Sequence, residues 1–388
     1  MITVAEAIEK VLNTSVELSN ETINISQAKG RKLMHAVFAD HDFPPFNRAM
    51  MDGFAISFEK WMNGQRSFRC TQIQTAGALI AIENETECIE IMTGAVVPSN
   101  FDCIIPVENL IEQTETSVSF REVAHCRINQ HIHFKGSDRI AGDLLIEQGQ
   151  LIGPQHIAIL ASNGVREIMV QRFPNIAIIA TGDELVSIDQ VPLPYQIRMS
   201  NGHALAALLE QYANQVSIIQ LTDDIDSIRK WIQEQGVGFD VLVFSGGVSK
   251  GKKDFLPMIW KDLGYETIFH GVAQKPGKPM WFGKKSNQLV FGLPGNPISS
   301  LFCAVRYVVP WLKKINGIES ESPIATFESK LQNTSSLTQW IPVQKNANAL
   351  WKKVIFNGSG DLNGLTNAQG FIEIHPGEEK SQFPIFLL

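Results

Sequence analysis

The sequence has little of what marks secreted, membrane-spanning or nucleic-acid-binding proteins. Its five cysteines are an odd number and form no CxxC pair, which disfavours a disulfide framework or structural zinc site and fits a reducing cytosol. No apolar run approaches the roughly 18 residues that a membrane helix requires. The formal net charge is −7, and an acidic chain is a poor non-specific binder of nucleic acid. We therefore expect a cytoplasmic protein without membrane or nucleic-acid partners.

The N-terminal segment and the histidine cluster give only weak indications of function. Residues 1–12 have no basic stretch followed by an apolar core, so they predict a helix and not a signal peptide. The one histidine cluster of the sequence, His125, His131 and His133, lies beside Cys126, and residues 131 and 133 would share one face of a strand. Such a group could bind a metal ion. A polar strand face is the simpler interpretation, and we favour it.

A length of 388 residues exceeds what one compact core organises, so several domains are expected. Between about residues 175 and 317, short apolar runs alternate with segments of helical periodicity. The predicted strands are 176–180, 216–220, 241–244 and 289–292, and the predicted helices are 201–212, 223–235, one that begins near 254, and 298–314. This alternation predicts a parallel sheet with helices on both faces.

Distinctive loops follow the predicted strands. They are TGDEL (181–185), SGGVSKGKKD (245–254) and LPGNP (293–297). Ligands of such sheets bind beyond the carboxyl ends of the strands, so these loops should converge on one pocket. Short β-type runs dominate residues 40–140 and the chain after residue 319, which indicates a β-rich domain on one side of the α/β domain and a small β domain on the other.

The pocket loops are basic although the chain is acidic. Eight lysines lie between residues 250 and 285, which suggests an anionic ligand, with a solvated lysine face as the alternative. Gly246 and Gly247 would let the backbone approach a phosphate, but the loop matches neither GxxxxGK[ST] nor GxGxxG, and many tight turns look similar. The KPGKP segment (275–279) is rigid and would aim Lys275 and Lys278 at a fixed point.

Four carboxylates occur at strand-to-helix junctions on the same sheet edge: Asp183, Glu184, Asp223 and Asp254. Aspartate at such a junction commonly caps a helix. Carboxylates beside lysines and glycine turns are also what a magnesium–phosphate site requires. For Asp223 and Asp254 we favour a metal-binding or catalytic role over capping.

Seven motifs follow one another along nearly the whole chain: RAMMDGFAI (48–56), IMTGAVVP (91–98), TGDEL (181–185), SNG (200–202), DVLVFSGGVSKGKKD (240–254), KPGKP (275–279) and FGLPGNPIS (291–299). Each is weak alone, but together they make the chain resemble the MoeA-type molybdopterin molybdenumtransferases and their relative, the gephyrin E domain. The resemblance implies an α/β plus β-rich fold class. Its parts would be a molybdopterin-binding three-layer α/β domain with a parallel or mixed sheet, a β-rich inserted domain and a C-terminal β domain.

The resemblance also implies domain boundaries. An N-terminal or linker domain would comprise 1–40 and 140–170, and the β-rich domain would comprise 41–139. The α/β domain would comprise 171–318 and the C-terminal β domain 319–388. The family works as a homodimer, which implies an active site between the α/β domain of one subunit and the β-rich domain of the other.

The implied reaction inserts molybdenum from molybdate into adenylated molybdopterin, with magnesium-assisted cleavage of the phosphoanhydride and release of AMP. Positive charge and backbone donors suit both oxyanions. By position, the implied catalytic residues are Asp52, Asp138, Glu184, Asp223 and Asp254, of which Asp223 and Asp254 would also bind magnesium. The implied substrate-binding residues are Thr93, Thr181, Ser245, Gly246, Gly247, Lys275, Lys278, Pro294, Gly295 and Ser299.

The sequence departs from the family pattern in places. Where the family has a pattern close to N-I-R-x-x-G-E-D, this chain has HIHFKGSD (131–138). Asp138 is retained, but His133 stands in place of an arginine and Ser137 in place of a glutamate. A side chain that titrates thus replaces one that is always charged. Val96 and Asn100 replace the first proline and the final glycine of IMTGAPxPxG.

Two other functions remain open. An adenylyltransferase that makes the adenylated pterin shares the α/β domain and similar TGDE and SGG loops, but it is generally little more than that domain. A gephyrin-like scaffold would bind without turnover, but this chain carries no separate adenylyltransferase domain or long linker. AMP release with molybdate would indicate insertion, and pyrophosphate release from ATP would indicate adenylation.

Overall fold

The computed structural model describes residues 1–83, 85–122, 126–249, 255–319, 322–347 and 349–388. The chain divides into two compact units. The larger unit comprises 1–23, 30–32 and 169–388, and the smaller unit comprises 24–29 and 33–168. The four-domain division expected above is finer than these two units and stays a prediction. No helix in the described ranges is long and apolar enough to span a membrane.

The smaller unit consists mainly of short strands. Alternate residues of a strand face opposite sides of a sheet, so Phe54 and Ile56 belong to one buried core and Ala55 to another. The main sheet has the strand order Cys103–Pro106, Gly53–Ile56, Cys88–Ile91, Ser67–Gln74, Ser117–Phe120 and Leu110–Gln113. Two antiparallel pairs are Arg48–Ala49 with Ile132–His133 and Val37–Phe38 with Leu144–Ile146. The helices are Phe58–Met62 and Pro154–Ser162, with 3-10 turns at Ile25–Gln27 and Val107–Asn109.

The expected strand face of His131 and His133 is wrong. The strand here is Ile132–His133, and His131 precedes it with a φ of 59°, in the left-handed region. His125 lies outside the described residues. Within the described residues, no group of three or more His, Cys, Asp or Glu side chains could hold a metal ion.

The larger unit contains the expected α/β domain. Six described strands form one sheet: β1 (Asn175–Thr181), β2 (Gln215–Leu221), β3 (Val241–Ser245), β4 (Glu266–His270), β5 (Trp281–Lys285) and β6 (Gln288–Leu293). Their order is β2-β1-β3-β6-β5-β4. The first four run parallel, whereas β5 and β4 continue the sheet antiparallel. The mixed sheet confirms the expected fold class, and the antiparallel strands β4 and β5 are additions to the predicted strands.

Helices cover both faces of this sheet. They are α1 (Val4–Leu12), α2 (Asn201–Leu209), α3 (Ile225–Glu234), α4 (Leu256–Asp262), α5 (Pro297–Cys303) and α6 (Val309–Ile315). Ile176 and Ile178 of β1 share a core with α1, α2, α5 and α6, whereas Ala177 and Ile179 share a core with α3 and α4. A π-helical turn at Ala304–Val308 joins α5 to α6, so the helix predicted at 298–314 is present with a local widening. The result is the expected three-layer arrangement.

The C-terminal part of the larger unit is a closed barrel. Its strands pair in the cycle Thr338–Lys345, Trp351–Lys353, Ile324–Gln332, Glu379–Leu387 and Gly370–Ile374, and the last strand pairs again with the first. Strand Gln274–Lys275 adds to Thr338–Lys345 in parallel, which attaches the KPGKP segment to the barrel. The remaining strands are Leu185–Val186, Ile197–Arg198, Asn20–Asn24 and Glu167–Gln171, with 3-10 turns at Glu210–Tyr212, Gly236–Gly238 and Leu362–Leu365.

Candidate active site

The carboxyl ends of β1, β3 and β6 open into one cavity of about 610 Å³. We call it the first cavity. The loops expected to converge do so here, and they contribute Thr181, Glu184, Ser245, Gly246, Gly247, Pro294 and Gly295 to its wall. Asp223 lines it from the end of β2. Ligands of open α/β sheets bind at this edge, so the first cavity is the candidate active site of the larger unit.

Two glycines shape the turn after β3. Gly246 has a φ of +107° and Gly247 a φ of +71°, values that other residues rarely adopt. A Cβ at position 247 would lie 2.8 Å from Cδ1 of Leu256. The N–H of Gly246 donates to the carbonyl oxygen of Leu293 at 3.0 Å, which joins the turn to the end of β6. The turn therefore exposes backbone to the cavity in a form that needs glycine at both positions.

Asn201, the first residue of α2, connects the loops of this cavity. Its Nδ2 donates to Oγ of Ser245 and to the carbonyl oxygen of Gly295, both at 2.8 Å. Oγ of Ser245 is also 3.5 Å from Oγ of Ser300. One amide group thus fixes the turn after β3 against the loop after β6.

The acidic residues at this edge have distinct positions. Oδ1 of Asp183 accepts a hydrogen bond from the N–H of Asp223 at 3.2 Å, which joins the ends of β1 and β2. Helix α3 is capped by Asp224, whose Oδ2 accepts from the N–H of Ser227 at 2.8 Å. The helix predicted at 223–235 begins two residues later than expected, at Ile225. Asp223 lines the cavity and is not the cap of this helix.

A second cavity of about 710 Å³ lies between the KPGKP segment, the start of α5 and the barrel. Lys275, Lys278 and Ser299 line it, the lysines exposed and the serine buried. Both cavities are lined by Pro279, Pro294 and Asn296, so they adjoin. The expected residues of the larger unit are therefore divided between two neighbouring cavities. Asp254 lies outside the described residues.

Buried polar groups support the KPGKP segment from below. Nε2 of Gln274 donates to the carbonyl oxygen of Gly277 at 3.0 Å and lies 3.4 Å from Sγ of Cys303. Oε1 of Gln274 accepts from the hydroxyl of Tyr307 at 2.6 Å. Burial raises the pKa of the Cys303 thiol to about 12, so it stays protonated at neutral pH. The segment is held by this network in addition to its prolines.

The remaining expected site residues lie on the smaller unit. Oδ1 of Asp52 accepts from both the N–H and the hydroxyl of Thr93, each at 2.7 Å. These bonds, the backbone bond first, lower the pKa of Asp52 below its usual value because they favour the ionised carboxylate. Oδ1 of Asp138 lies 2.7 Å from Nε2 of His133. Both carboxylates are exposed and each is oriented by a neighbour.

Comparison with known proteins decides the family. Residues 2–164 match the MoeA N-terminal region (domain I and II), and residues 177–314 match a probable molybdopterin binding domain. A molybdopterin molybdenumtransferase of Synechocystis sp. is 35% identical over 382 residues, which cover 96% of this chain and 95% of that protein. One of Staphylococcus epidermidis is 31% identical over 97% of this chain and 92% of that protein. The chain belongs to the molybdopterin molybdenumtransferase family.

Membership in the molybdopterin molybdenumtransferase family makes this protein a transferase of molybdenum cofactor biosynthesis. A solved molybdopterin biosynthesis MoeA protein from Pyrococcus horikosii has a TM-score of 0.82 and 28% identity, and the match covers 100% of this chain and 99% of that chain. A second structure, from Pyrococcus horikoshii OT3, has a TM-score of 0.78 at 23% identity and supports the fold alone. The fold class expected from the motifs is confirmed.

For this molybdopterin molybdenumtransferase, sequence reasoning missed several residues around the cavities. Arg198 lines the first cavity, and Asn296 lines both. Nδ2 of Asn296 donates to Oγ of Ser359 at 2.8 Å. The turn GSGDL (358–362) of the barrel therefore contacts the LPGNP loop. Asn201 lay within the SNG motif, which was a usable signal. Ser359 lies within residues 357–360 (NGSG), a strong turn signal, whereas Arg198 had no signal beyond its position near the SNG motif.

Proposed function

We propose that this cytoplasmic enzyme inserts molybdenum from molybdate into adenylated molybdopterin, with magnesium-assisted cleavage of the phosphoanhydride and release of AMP. Family membership supports the reaction class. The geometric observation that carries the proposal is the adjacency of the two cavities along Pro279, Pro294 and Asn296. One elongated anionic substrate and one small oxyanion require neighbouring sites of this kind.

In this proposal the two cavities bind different oxyanions. The glycine turn at Gly246 and Gly247 and the hydroxyls of Thr181 and Ser245 would donate to phosphate oxygens in the first cavity, while Pro294 and Gly295 shape its wall. In the second cavity, Lys275 and Lys278 would supply charge-assisted hydrogen bonds to molybdate or phosphate. Ser299 would add a hydroxyl donor there.

The carboxylates of the first cavity suit magnesium. Glu184 and Asp223 both line this cavity, and magnesium takes one or two carboxylates together with phosphate oxygens and waters. A protein cage of three or more ligands is thus not required. We propose Asp223 and Asp254 as the ligands. Magnesium would neutralise charge on the phosphoanhydride, while Glu184 acts as an acid–base group at the cleaved bond.

We further propose a homodimer in which the smaller unit completes the partner's site. Asp52 and Asp138 are exposed on the smaller unit, yet their carboxylates are held by Thr93 and His133. Surface carboxylates with fixed orientations are suited to act on a ligand brought to them. Thr93 would orient Asp52 in this arrangement.

One assay tests the proposal against its alternatives. The protein is incubated with adenylated molybdopterin and magnesium, with and without molybdate, and AMP and active cofactor are measured. We expect both products only when molybdate is present. Pyrophosphate release from ATP and molybdopterin would instead identify an adenylyltransferase. Tight binding of adenylated molybdopterin without any turnover would identify a scaffold.

A further inference from the structure

Three side chains form a hydrogen-bonded chain on the smaller unit. Nε and Nη2 of Arg48 lie 3.2 Å and 3.1 Å from Nδ1 of His133. Nε2 of the same ring lies 2.7 Å from Oδ1 of Asp138. The strands Arg48–Ala49 and Ile132–His133 pair antiparallel with His133 opposite Arg48. The backbone therefore places the guanidinium beside the ring.

Arg48 determines which ring nitrogen carries the proton. A guanidinium only donates hydrogen bonds and keeps its charge at all working pH values, so Nδ1 of His133 must accept. In a neutral imidazole the other nitrogen then bears the hydrogen, and Nε2–H donates to the carboxylate of Asp138. Protonation of Nδ1 would direct an N–H at the guanidinium and break the first link. In the neutral ring, the two neighbours thus place the hydrogen on Nε2.

The main chain of Asp138 is held independently of its side chain. Its N–H donates to the carbonyl oxygen of Phe43 at 2.9 Å, and its carbonyl oxygen accepts from Nη1 of Arg139 at 2.8 Å. Oγ of Ser137 is 3.5 Å from Oδ1, at the outer limit of a hydrogen bond. The short bond from His133 is therefore the main contact that sets the direction of the carboxylate.

Lys135, a charged residue close to this chain in sequence, is engaged elsewhere. Nζ of Lys135 lies 3.5 Å from Oδ2 of Asp42. Within the described part of the chain, the hydrogen bonds and ion pairs of Asp138's carboxylate all involve Oδ1. Oδ2 of Asp138 is thus the carboxylate oxygen that a ligand can engage.

We propose that Arg48 and His133 are positioning residues for Asp138: they hold Oδ1 and present Oδ2 to a hydrogen-bond donor or cation of the bound substrate. This inference rests on the proposed function, in which Asp138 acts in the partner's site. His133 itself does not touch the substrate. Its contribution is the fixed ring tautomer, which turns a surface carboxylate into an oriented one.

The first test needs no substrate. The protein contains nine histidines, and ¹⁵N-labelled histidine gives ring-nitrogen signals that distinguish a protonated from an unprotonated nitrogen. The signals of His133 are assigned as those missing from His133→Gln. We expect an unprotonated Nδ1 and a protonated Nε2 at neutral pH, and a mixture of tautomers in Arg48→Ala. A protonated Nδ1 in the unchanged protein, or no difference in Arg48→Ala, would overturn the assignment.

The second test measures turnover. His133→Leu removes the donor, and we expect kcat for AMP release to fall about 10- to 100-fold, the factor for one hydrogen bond to a charged group. His133→Gln can accept from Arg48 and donate to Asp138, so it should recover most of that loss. Lys135→Ala, next to the chain but paired with Asp42, is the matched control and should retain the rate.

A double-mutant cycle separates positioning from a structural role. If His133 acts through Asp138, then His133→Leu should cause no further loss of kcat in an Asp138→Asn background. A further loss there, or a His133→Gln protein that folds normally yet is as slow as His133→Leu, would contradict the inference. Failure of the unchanged protein to release AMP with molybdate would overturn the proposed function, and the tautomer measurement would still stand.

Discussion

At the scale of single residues, the carboxylate of Asp52 is held by a partner distant in sequence. Thr93 lies 41 positions from Asp52 and donates to it twice. The bond from the backbone N–H survives most substitutions of Thr93, whereas the bond from the hydroxyl depends on the side chain. The two contributions to the lowered pKa of Asp52 can therefore be separated by mutation.

Thr93→Val should raise the pKa of Asp52 part of the way towards its usual value, because the hydroxyl bond to the ionised form is lost. Thr93→Ser keeps the hydroxyl and is the control. A ¹³C titration of the Asp52 carboxyl carbon measures the change. Because the folded pKa is lowered, this group stabilises the fold above its unfolded pKa of about 3.9 and loses that contribution as the pH falls through the folded pKa. An unaltered pKa in Thr93→Val would show that the hydroxyl contributes nothing.

Lys278→Ala should weaken the use of molybdate without unfolding the protein, because this exposed lysine lines the second cavity. Loss of one charge-assisted contact costs about 1.5–3 kcal/mol, or about one to two decades in apparent affinity. Lys230→Ala, an exposed lysine on α3, is the matched control. The molybdate dependence of AMP release decides the matter, and equal dependence in both variants would remove Lys278 from the site.

At the scale of elements, the KPGKP segment is held in place by hydrogen bonds to buried polar groups. Gln274 satisfies Gly277 and accepts from Tyr307, both within the larger unit. Gln274 and Tyr307 are 1% and 0% exposed, so neither can exchange its partner for water. Removing one partner leaves the other buried without its hydrogen bond.

Tyr307→Phe should therefore destabilise the protein by about 1–3 kcal/mol and also weaken molybdate use, because the KPGKP segment loses its support. Tyr212→Phe removes a hydroxyl from a half-buried tyrosine and serves as the control. Urea unfolding followed by tryptophan fluorescence gives the free energy of unfolding. A Tyr307→Phe protein as stable as the control would mean that the brace is unimportant.

Asp223 and Asp224 are adjacent and should have opposite phenotypes. Asp224→Ala removes the cap of α3 and should lower the melting temperature while keeping turnover per folded molecule. Asp223→Ala should keep the melting temperature and lose AMP release. The hydrogen bonds from the side chain and backbone of Ser227 lower the pKa of Asp224, so its contribution to stability is lost as the pH falls through that lowered pKa. If Asp224→Ala lost turnover while Asp223→Ala stayed active, the roles would be the reverse of those proposed.

The sequence predicted β1, β2, β3 and β6 because each contains a mainly apolar run. Strand β4 is mostly exposed, and β5 is interrupted by Gly283 before two lysines, so neither gave a clear period. Barrel closure requires pairings between strands far apart in sequence, which periodicity does not report. The brace of Gln274 by Tyr307 was missed for the same reason. The helix predicted at 223–235 begins at Ile225, a boundary error of two residues.

At the scale of the whole molecule, expected site residues lie on both compact units. The larger unit carries the two cavities, and the smaller unit carries Asp52 and Asp138 with their orienting partners. Family membership extends over both, because the Synechocystis relative matches 96% of this chain. Motifs in this order could therefore identify the enzyme, whereas the roles of individual residues depend on the assembled site.

Mixing inactive subunits tests the proposed dimer. Asp52→Ala changes the smaller unit and Asp223→Ala the larger, so a mixed dimer would contain one site with neither change. We expect AMP release to recover to roughly a quarter of the unchanged rate at equal mixing, since half the dimers are mixed and each has one intact site of two. Subunit exchange is verified with tagged chains. No recovery despite exchange would place the whole site within one chain.

In the proposed function, phosphoanhydride cleavage is coupled to molybdenum insertion. The most direct measurement follows AMP and cofactor-bound molybdenum in the same sample, with adenylated molybdopterin, magnesium and increasing molybdate. We predict that the two products rise together in equal amounts and that both are strongly reduced in Asp223→Ala. AMP released without molybdenum in the cofactor, or at the same rate without molybdate, would contradict this coupling.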